Sequence, residues 1–166
     1  MIKKKLLKDD IKYFEELSKI SSSNKVIDSI KRKYKIISIG ASALVFTKYN
    51  LDYVVKIGDS LDMIPRKTSK FHKYYAKIIW RSKNKKIIVQ EKVNTSNKNT
   101  YKAIKLLSKK FNLDINTLDE KYDIRIYNVG IKNNKPKIID YRNYSTGNDF
   151  SMSPHWYGHS LENIKV

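Results

Sequence analysis

Five short runs of β-branched and aromatic residues are crowded into residues 35–92, and they limit the fold more than any other feature of the sequence. Turn-forming residues separate the runs, which is typical of strands joined by tight connections. A polar stretch with Pro65 follows the third run, and we predict a short helix there, at about 60–73. The segment therefore predicts a five-stranded antiparallel sheet with one inserted helix. The predicted strands are Lys35–Ile39, Ala43–Tyr49, Tyr53–Ile57, Ala76–Arg81 and Lys86–Lys92.

Apolar residues at helical spacing precede this sheet. They predict one helix within 6–20 and a second over 24–33, with Ser23 as the N-cap of the second. Both helices are expected to pack rather than to carry chemistry. Residues 1–33 are therefore predicted to form a helical extension.

A polar linker at 94–100 separates the sheet from a second group of elements. Its predicted members are a helix and two strands, Ile126–Lys132 and Pro136–Tyr141, which turn around Asn133–Asn134. The whole pattern predicts an α+β fold. The helix is indicated by Tyr101, Ile104, Leu107 and Phe111, which share one helix face.

Composition narrows the function classes. The chain has no cysteine, which excludes disulfides, thiolate zinc sites and cysteine nucleophiles. No apolar run approaches the roughly 20 residues that span a bilayer, so we expect a soluble, cytoplasmic protein. The formal net charge of +19 favours polyanionic partners such as nucleotides, nucleic acid or an acidic protein surface. Since the lysines are spread along the chain, the charge is equally consistent with simple solvation of the surface.

The first segment with chemical content is the turn between the first two strands, with the lysine that follows it. Gly40, Ala41 and Ser42 form a small-residue turn before Val45, and Lys56 lies in the apolar third strand. Such a turn lets backbone N–H groups approach phosphates, and the lysine can deliver a cation to them. An ordinary hairpin turn and a surface lysine would give the same pattern.

The second segment contains Asp123, Asn128 and Asp140 around a turn and the last predicted hairpin. Asp and Asn supply the hard oxygen ligands that Mg²⁺ prefers, and a nearby carboxylate can orient an attacking hydroxyl. Turn formation and strand capping are the alternative explanation for these three residues.

In their order along 34–141, the segments resemble the protein-kinase-like superfamily. Residues 38–45 look like its Gly-rich loop, and Val54–Lys56 is similar to the strand with the phosphate-binding lysine. Residues 89–93 look like the strand leading into the hinge. The spacing from Asp123 to Asn128 matches the catalytic loop, and residues 139–142 stand where the family has Asp-Phe-Gly.

The resemblance implies a two-lobe fold, with 34–91 as the N-lobe, 92–98 as the hinge and 99–166 as a reduced C-lobe. It implies a protein that binds ATP and Mg²⁺ and transfers the γ-phosphoryl group to a Ser/Thr or other hydroxyl. In that site Lys56 binds phosphates, Asp123 orients the acceptor, and Asn128 and Asp140 hold the metal. The backbone of Glu91 and Val93 receives adenine, and Gly40, Ala41, Ser42 and Val45 cover the nucleotide.

Departures from the family pattern keep other functions open. No glutamate lies between Lys56 and Gln90 to hold the lysine, and Arg142 replaces the glycine of Asp-Phe-Gly. Only 26 residues follow Asp140, which leaves no room for the later helices of full kinases and is typical of a phage, viral or bacterial form acting in the host or bacterial cytoplasm. A pseudokinase that binds an acidic protein or nucleic acid is the first alternative. A nucleic-acid-binding protein that stacks bases on Trp80 and the tyrosines is the second.

Overall fold

A computed structural model describes residues 6–39, 43–58 and 69–140 of the chain. Four helices and seven strands lie in these ranges, together with short 3-10 helices at His72–Tyr74 and Ile126–Asn128. The helices are α1 (Lys8–Ser18), α2 (Ser23–Lys31), α3 (Asn97–Phe111) and α4 (Ile115–Tyr122). The strands are β1 (Lys35–Ile39), β2 (Leu44–Thr47), β3 (Tyr53–Ile57), β4 (Ile78–Arg81), β5 (Ile87–Glu91), β6 (Val129–Lys132) and β7 (Lys135–Ile138).

The first five strands form one sheet in the order β1-β2-β3-β5-β4, with every neighbouring pair antiparallel. The predicted α+β class and the five-stranded antiparallel sheet are thus confirmed. Most of the helix predicted at about 60–73 lies outside the described residues. Its described end contains the 3-10 helix His72–Tyr74.

The two N-terminal helices cover one face of this sheet. Phe14 and Ile30 are fully buried, and they share a core with Phe46, Tyr53 and Val55 of the sheet. The predicted N-cap of α2 was off by one residue, because Ser22 is the cap and its side chain accepts the Lys25 N–H at 3.5 Å. The helical extension therefore stabilises the sheet by packing on this face.

Trp80 belongs to the same core. It is partly buried, and its ring centroid lies 6.1 Å from that of Phe14. An indole packed in this way contributes to the core.

A second core joins α3 and α4 to the β6–β7 hairpin and to the segment that precedes β4. Its fully buried members include Ile104, Leu107, Leu118 and Val129. Phe71, which is 2% exposed, packs into the same core. The hairpin therefore packs against α3 and against the segment that precedes β4.

The predictions for this second part were wrong in several details. Helix α3 begins at Asn97, inside the predicted linker, since Thr100 is buried and extends the packed face by one turn. Tyr101 was expected on the apolar face but is 51% exposed. Helix α4 was not predicted, because Leu118 is its only fully buried apolar side chain and periodicity gave no signal.

Strand β6 starts at Val129, because Ile126–Asn128 form a 3-10 helix where a strand was predicted. The turn to β7 was predicted correctly: Asn133 and Asn134 have φ of 49° and 60°, as a two-residue hairpin turn requires. In the described ranges no helix is long and apolar enough to cross a membrane.

Candidate functional site

Lys56 links the sheet to the C-terminal hairpin. The side chains of Val55 and Ile57 enter the core behind the sheet, so alternation along β3 directs Lys56 to the opposite face. Its Nζ donates a hydrogen bond to the carbonyl oxygen of Ile139 at 2.5 Å, across 83 residues of sequence. Val45 is its cross-strand neighbour on β2. The predicted lysine therefore lies between the two parts of the molecule.

The electrostatic surroundings of Lys56 also involve Asp140. Burial lowers the pKa of the Lys56 ammonium below its ordinary value, and the negative charge of Asp140 offsets part of that shift. A desolvated ammonium attracts an anion more strongly than a solvated one does. The proximity of Lys56 and Asp140 is a property of the fold, since the two residues are distant in sequence.

Asn128 is brought to the same place by its backbone. The N–H of Ile139 donates to the Asn128 carbonyl oxygen at 2.8 Å. A single residue, Ile139, thus contacts Lys56 through its carbonyl and Asn128 through its amide, and Asp140 follows directly. Three of the predicted site residues consequently converge on one residue at the end of β7.

The donor set at this point suits a magnesium ion. Asp140, which follows Ile139 directly, is exposed, and Asn128, whose backbone carbonyl accepts the Ile139 N–H, is half-buried. Mg²⁺ is commonly held by one or two protein oxygens while water and phosphate complete the octahedron. No group of three or more His, Cys, Asp and Glu side chains suited to a metal occurs within the described ranges. A site of this kind would therefore depend on phosphate oxygens for the rest of its ligands.

Asp123 has a separate, buried environment. It ends α4 in the left-handed conformation with φ of 52°, and it is 7% exposed. The Nε of Arg125 lies 2.9 Å from an oxygen of Asp123 and 2.9 Å from an oxygen of Asp119. The charge of Asp123 also reaches Tyr75: burial raises the pKa of that phenol, and Asp123 raises it further. The predicted base is therefore ionically held within its loop.

Arg125 was missed at the sequence level. The signal was present, because Arg125 is the only basic residue between Asp123 and Asn128. Its guanidinium donates to the hydroxyl of Tyr127 as well as pairing with the two aspartates. Only the folded loop shows that this residue orients the Asp123 carboxylate.

Glu91 has a side-chain role that the sequence did not suggest. Its carboxylate accepts the Lys77 N–H at 2.8 Å and lies 3.2 Å from Lys132 Nζ and 3.3 Å from Lys137 Nζ. Burial raises the pKa of Glu91, but the Lys77 N–H and the two ammonium groups outweigh it and the pKa is lowered overall. The side chain thus fastens β5 to the β6–β7 hairpin.

The Glu91 backbone occupies a different kind of position. Lys92 N–H donates to the Asp52 carbonyl at 2.7 Å, and Gly58 N–H donates to the Lys86 carbonyl at 3.0 Å. These bonds make Asp52–Lys92 and Gly58–Lys86 hydrogen-bonded pairs of the β3–β5 ladder. Hydrogen-bonded and non-hydrogen-bonded pairs alternate along an antiparallel ladder, so the next pair, Tyr53–Glu91, is a non-hydrogen-bonded one. Its carbonyl is therefore directed away from β3.

The segment after Glu91, which was predicted to be a hinge, lies against β6. Asn94 and Ile131 exchange two backbone hydrogen bonds of 3.0 and 2.9 Å. Gly130 makes this approach feasible, since a Cβ there would lie 2.5 Å from the Asn94 carbonyl oxygen and 2.7 Å from Val93 Cγ1. Within the described ranges the Val93 N–H forms no hydrogen bond. The predicted adenine-contacting residues are thus at the junction of sheet and hairpin.

The remaining predicted cofactor residues, Gly40, Ala41 and Ser42, lie outside the described residues. No protein-family model matches the chain, and no curated protein or solved structure matches it.

Proposed function

We propose that the chain is a protein-kinase-like phosphotransferase that binds Mg-ATP between the five-stranded sheet and the β6–β7 hairpin. The observation that carries this proposal is the Ile139 backbone, which joins Lys56 of the sheet to Asn128 and the adjacent Asp140 of the hairpin. A lysine and two residues with oxygen-bearing side chains, linked through one backbone residue, suit a polyphosphate with its metal.

The roles of the residues follow from their chemistry. Lys56 would bind the phosphate oxygens, because a desolvated ammonium gains most from an anionic ligand. Asn128 and Asp140 would hold Mg²⁺, which neutralises charge on the phosphates. Adenine would contact the backbone of the hinge, with the Glu91 carbonyl as acceptor and the Val93 N–H as donor.

The proposed reaction requires one further group. The acceptor hydroxyl oxygen forms a bond to the γ-phosphorus, the bond from that phosphorus to the β–γ bridging oxygen breaks, and ADP leaves. Asp123 receives the hydroxyl proton. The contact with Arg125 supports this role, because it fixes the position of the carboxylate.

A nucleotide-binding protein without transferase activity is the second candidate. The buried position of Asp123 favours it, since a carboxylate that is 7% exposed and paired with Arg125 is hard for an acceptor hydroxyl to reach. The absence of a glutamate between Lys56 and Gln90 points in the same direction. In that case the protein would bind Mg-ATP as a structural ligand.

Transfer of label from γ-labelled ATP tests the proposal. The purified chain is incubated with Mg-ATP and a mixed protein substrate, beside Lys56→Met and Asp123→Asn. Exposed residues of the same types provide matched controls, Lys48→Met and Asp28→Asn. We expect transfer in the parent and both controls, and its loss in both site variants.

Thermal shift by Mg-ATP separates the two candidates. Lys56→Met should lose the shift, whereas Asp123→Asn should keep it. A nucleotide-dependent shift without transfer would support the second candidate. No response of the parent to nucleotide in either assay would overturn the proposed site.

A further inference from the structure

All the charged residues on the exposed face of helix α3 are lysines. Five of its fifteen residues are lysine, and it contains neither Asp nor Glu. Its buried residues, Thr100, Ala103, Ile104 and Leu107, face the second core. The exposed lysines are Lys98, Lys102, Lys105, Lys109 and Lys110.

Four of these lysines form a continuous stripe. Lys98, Lys102, Lys105 and Lys109 recur every third or fourth residue, which places them on one side of a helix. From the first to the last the stripe covers about 16 Å of helix axis. Lys110 lies to one side of it.

The stripe is not explained by the general abundance of lysine. The other three described helices all carry acidic residues beside their lysines: α1 has four, α4 has two and α2 has Asp28. Mixed charge is what surface solvation normally gives. A helix face with a single sign of charge instead gathers a local positive potential, which attracts polyanions.

An aromatic ring lies within the stripe. Tyr101 is 51% exposed, and the Nζ of Lys105 lies 4.4 Å from its ring centroid. Tyr101 follows Lys98 by three residues and precedes Lys102. An exposed aromatic ring among regularly spaced cations is the combination with which proteins bind single-stranded nucleic acid.

We propose that this stripe, formed by Lys98, Tyr101, Lys102, Lys105 and Lys109, binds single-stranded nucleic acid without sequence preference. The ammonium groups contact successive phosphates, and the Tyr101 ring stacks on a base. A single strand is favoured over a duplex because a ring can stack only on a base that is free of its neighbours. An acidic protein is less suitable, because carboxylates would use the lysines and leave Tyr101 without a partner.

Fluorescence anisotropy with a labelled 20-nucleotide single strand tests this proposal, in the absence of ATP and over a series of KCl concentrations. The test variant replaces Lys98, Lys102, Lys105 and Lys109 by Gln. The control replaces four exposed lysines that lie elsewhere, Lys12, Lys19, Lys31 and Lys83. Both lower the formal net charge by four, so they differ only in where the charge is removed.

We expect the α3 variant to lose at least tenfold in affinity, and its salt slope to fall by about 2.8 for four lost phosphate contacts. The control should lose less than threefold. Tyr101→Ala should weaken binding, and Tyr101→Phe should not, because stacking needs only the ring. Lys56→Met should bind as the parent does, which separates this surface from the nucleotide site.

Several results would overturn the proposal: equal loss in both lysine variants, no binding by the parent, or equal binding of Tyr101→Ala and the parent. A poly-glutamate peptide that competes at the same concentration of charge would also overturn it, since the surface would then be a site for acidic protein. Circular dichroism of each variant confirms that the exposed substitutions leave the fold intact.

Discussion

Replacing Gly130 by Ala should separate the hinge segment from the β6–β7 hairpin. Alanine normally suits a strand interior better than glycine by about 0.5–1 kcal/mol, so an ordinary site would be stabilised. At Gly130 the new Cβ would meet the Asn94 carbonyl oxygen at 2.5 Å and Val93 Cγ1 at 2.7 Å. The side chain of Val93 can rotate, but the carbonyl belongs to the backbone and must move with its chain.

The magnitude follows from the contacts that this movement disturbs. Asn94 and Ile131 share two backbone hydrogen bonds of 3.0 and 2.9 Å, each with a net contribution of about 1 kcal/mol. Insertion of a methyl group into a packed site costs a further 1–3 kcal/mol, approximately. These costs are offset in part by the gain of about 0.5–1 kcal/mol that alanine brings to a strand. We therefore expect Gly130→Ala to lower the free energy of unfolding by about 2–4 kcal/mol.

Urea denaturation followed by circular dichroism measures this change. Lys135→Ala, at an exposed position of the same hairpin, is the control, and it should change stability by less than about 0.5 kcal/mol. Stabilisation by Gly130→Ala, or a loss no larger than that of the control, would refute the close packing of hinge and hairpin. If the proposed nucleotide site is correct, the folded fraction of the variant should also show a weaker thermal shift with Mg-ATP.

Two further predictions concern charge. Glu91→Gln removes the ionic contacts with Lys132 and Lys137 and should lower stability at pH 7 by about 1–3 kcal/mol. Because the folded-state pKa of Glu91 lies below the ordinary 4.5, its contribution is present above pH 4.5 and is lost as the pH falls through the folded pKa. Denaturation curves of parent and variant should therefore converge in acid, and a constant difference would contradict the ion pairs. Lys56→Met should raise stability at pH 7, because burial of the ammonium opposes folding more than the charge of Asp140 offsets it. The folded-state pKa of Lys56 is lowered, so the parent is most stable above the ordinary 10.5 and loses stability as the pH falls through the folded pKa. The stability difference between Lys56→Met and the parent should thus be smaller above pH 10.5 than at pH 7. An equal difference at the two pH values would show that it arises from packing.

Most of the sheet could be predicted because its signals are local. The β-branched and aromatic run Tyr53–Ile57 and the turn residues around it identify β3 without reference to the rest of the chain. Helix α4 lacked such signals. Its N-cap Asp114, which accepts the Thr117 N–H at 2.8 Å, was the one local indication. The helix persists because Leu118 packs into the second core, and that contact is not visible in the order of residues.

The candidate site divides in the same way. Lys56, Asp123, Asn128 and Asp140 were chosen by residue type and spacing. A charged or amide side chain beside an apolar strand is a candidate for binding phosphate or metal. The meeting of Lys56 with Ile139 across 83 residues depends on how sheet and hairpin pack. Local patterns are set by side-chain periodicity and backbone preference, whereas contacts of this range exist only after the cores have formed and placed the two segments side by side.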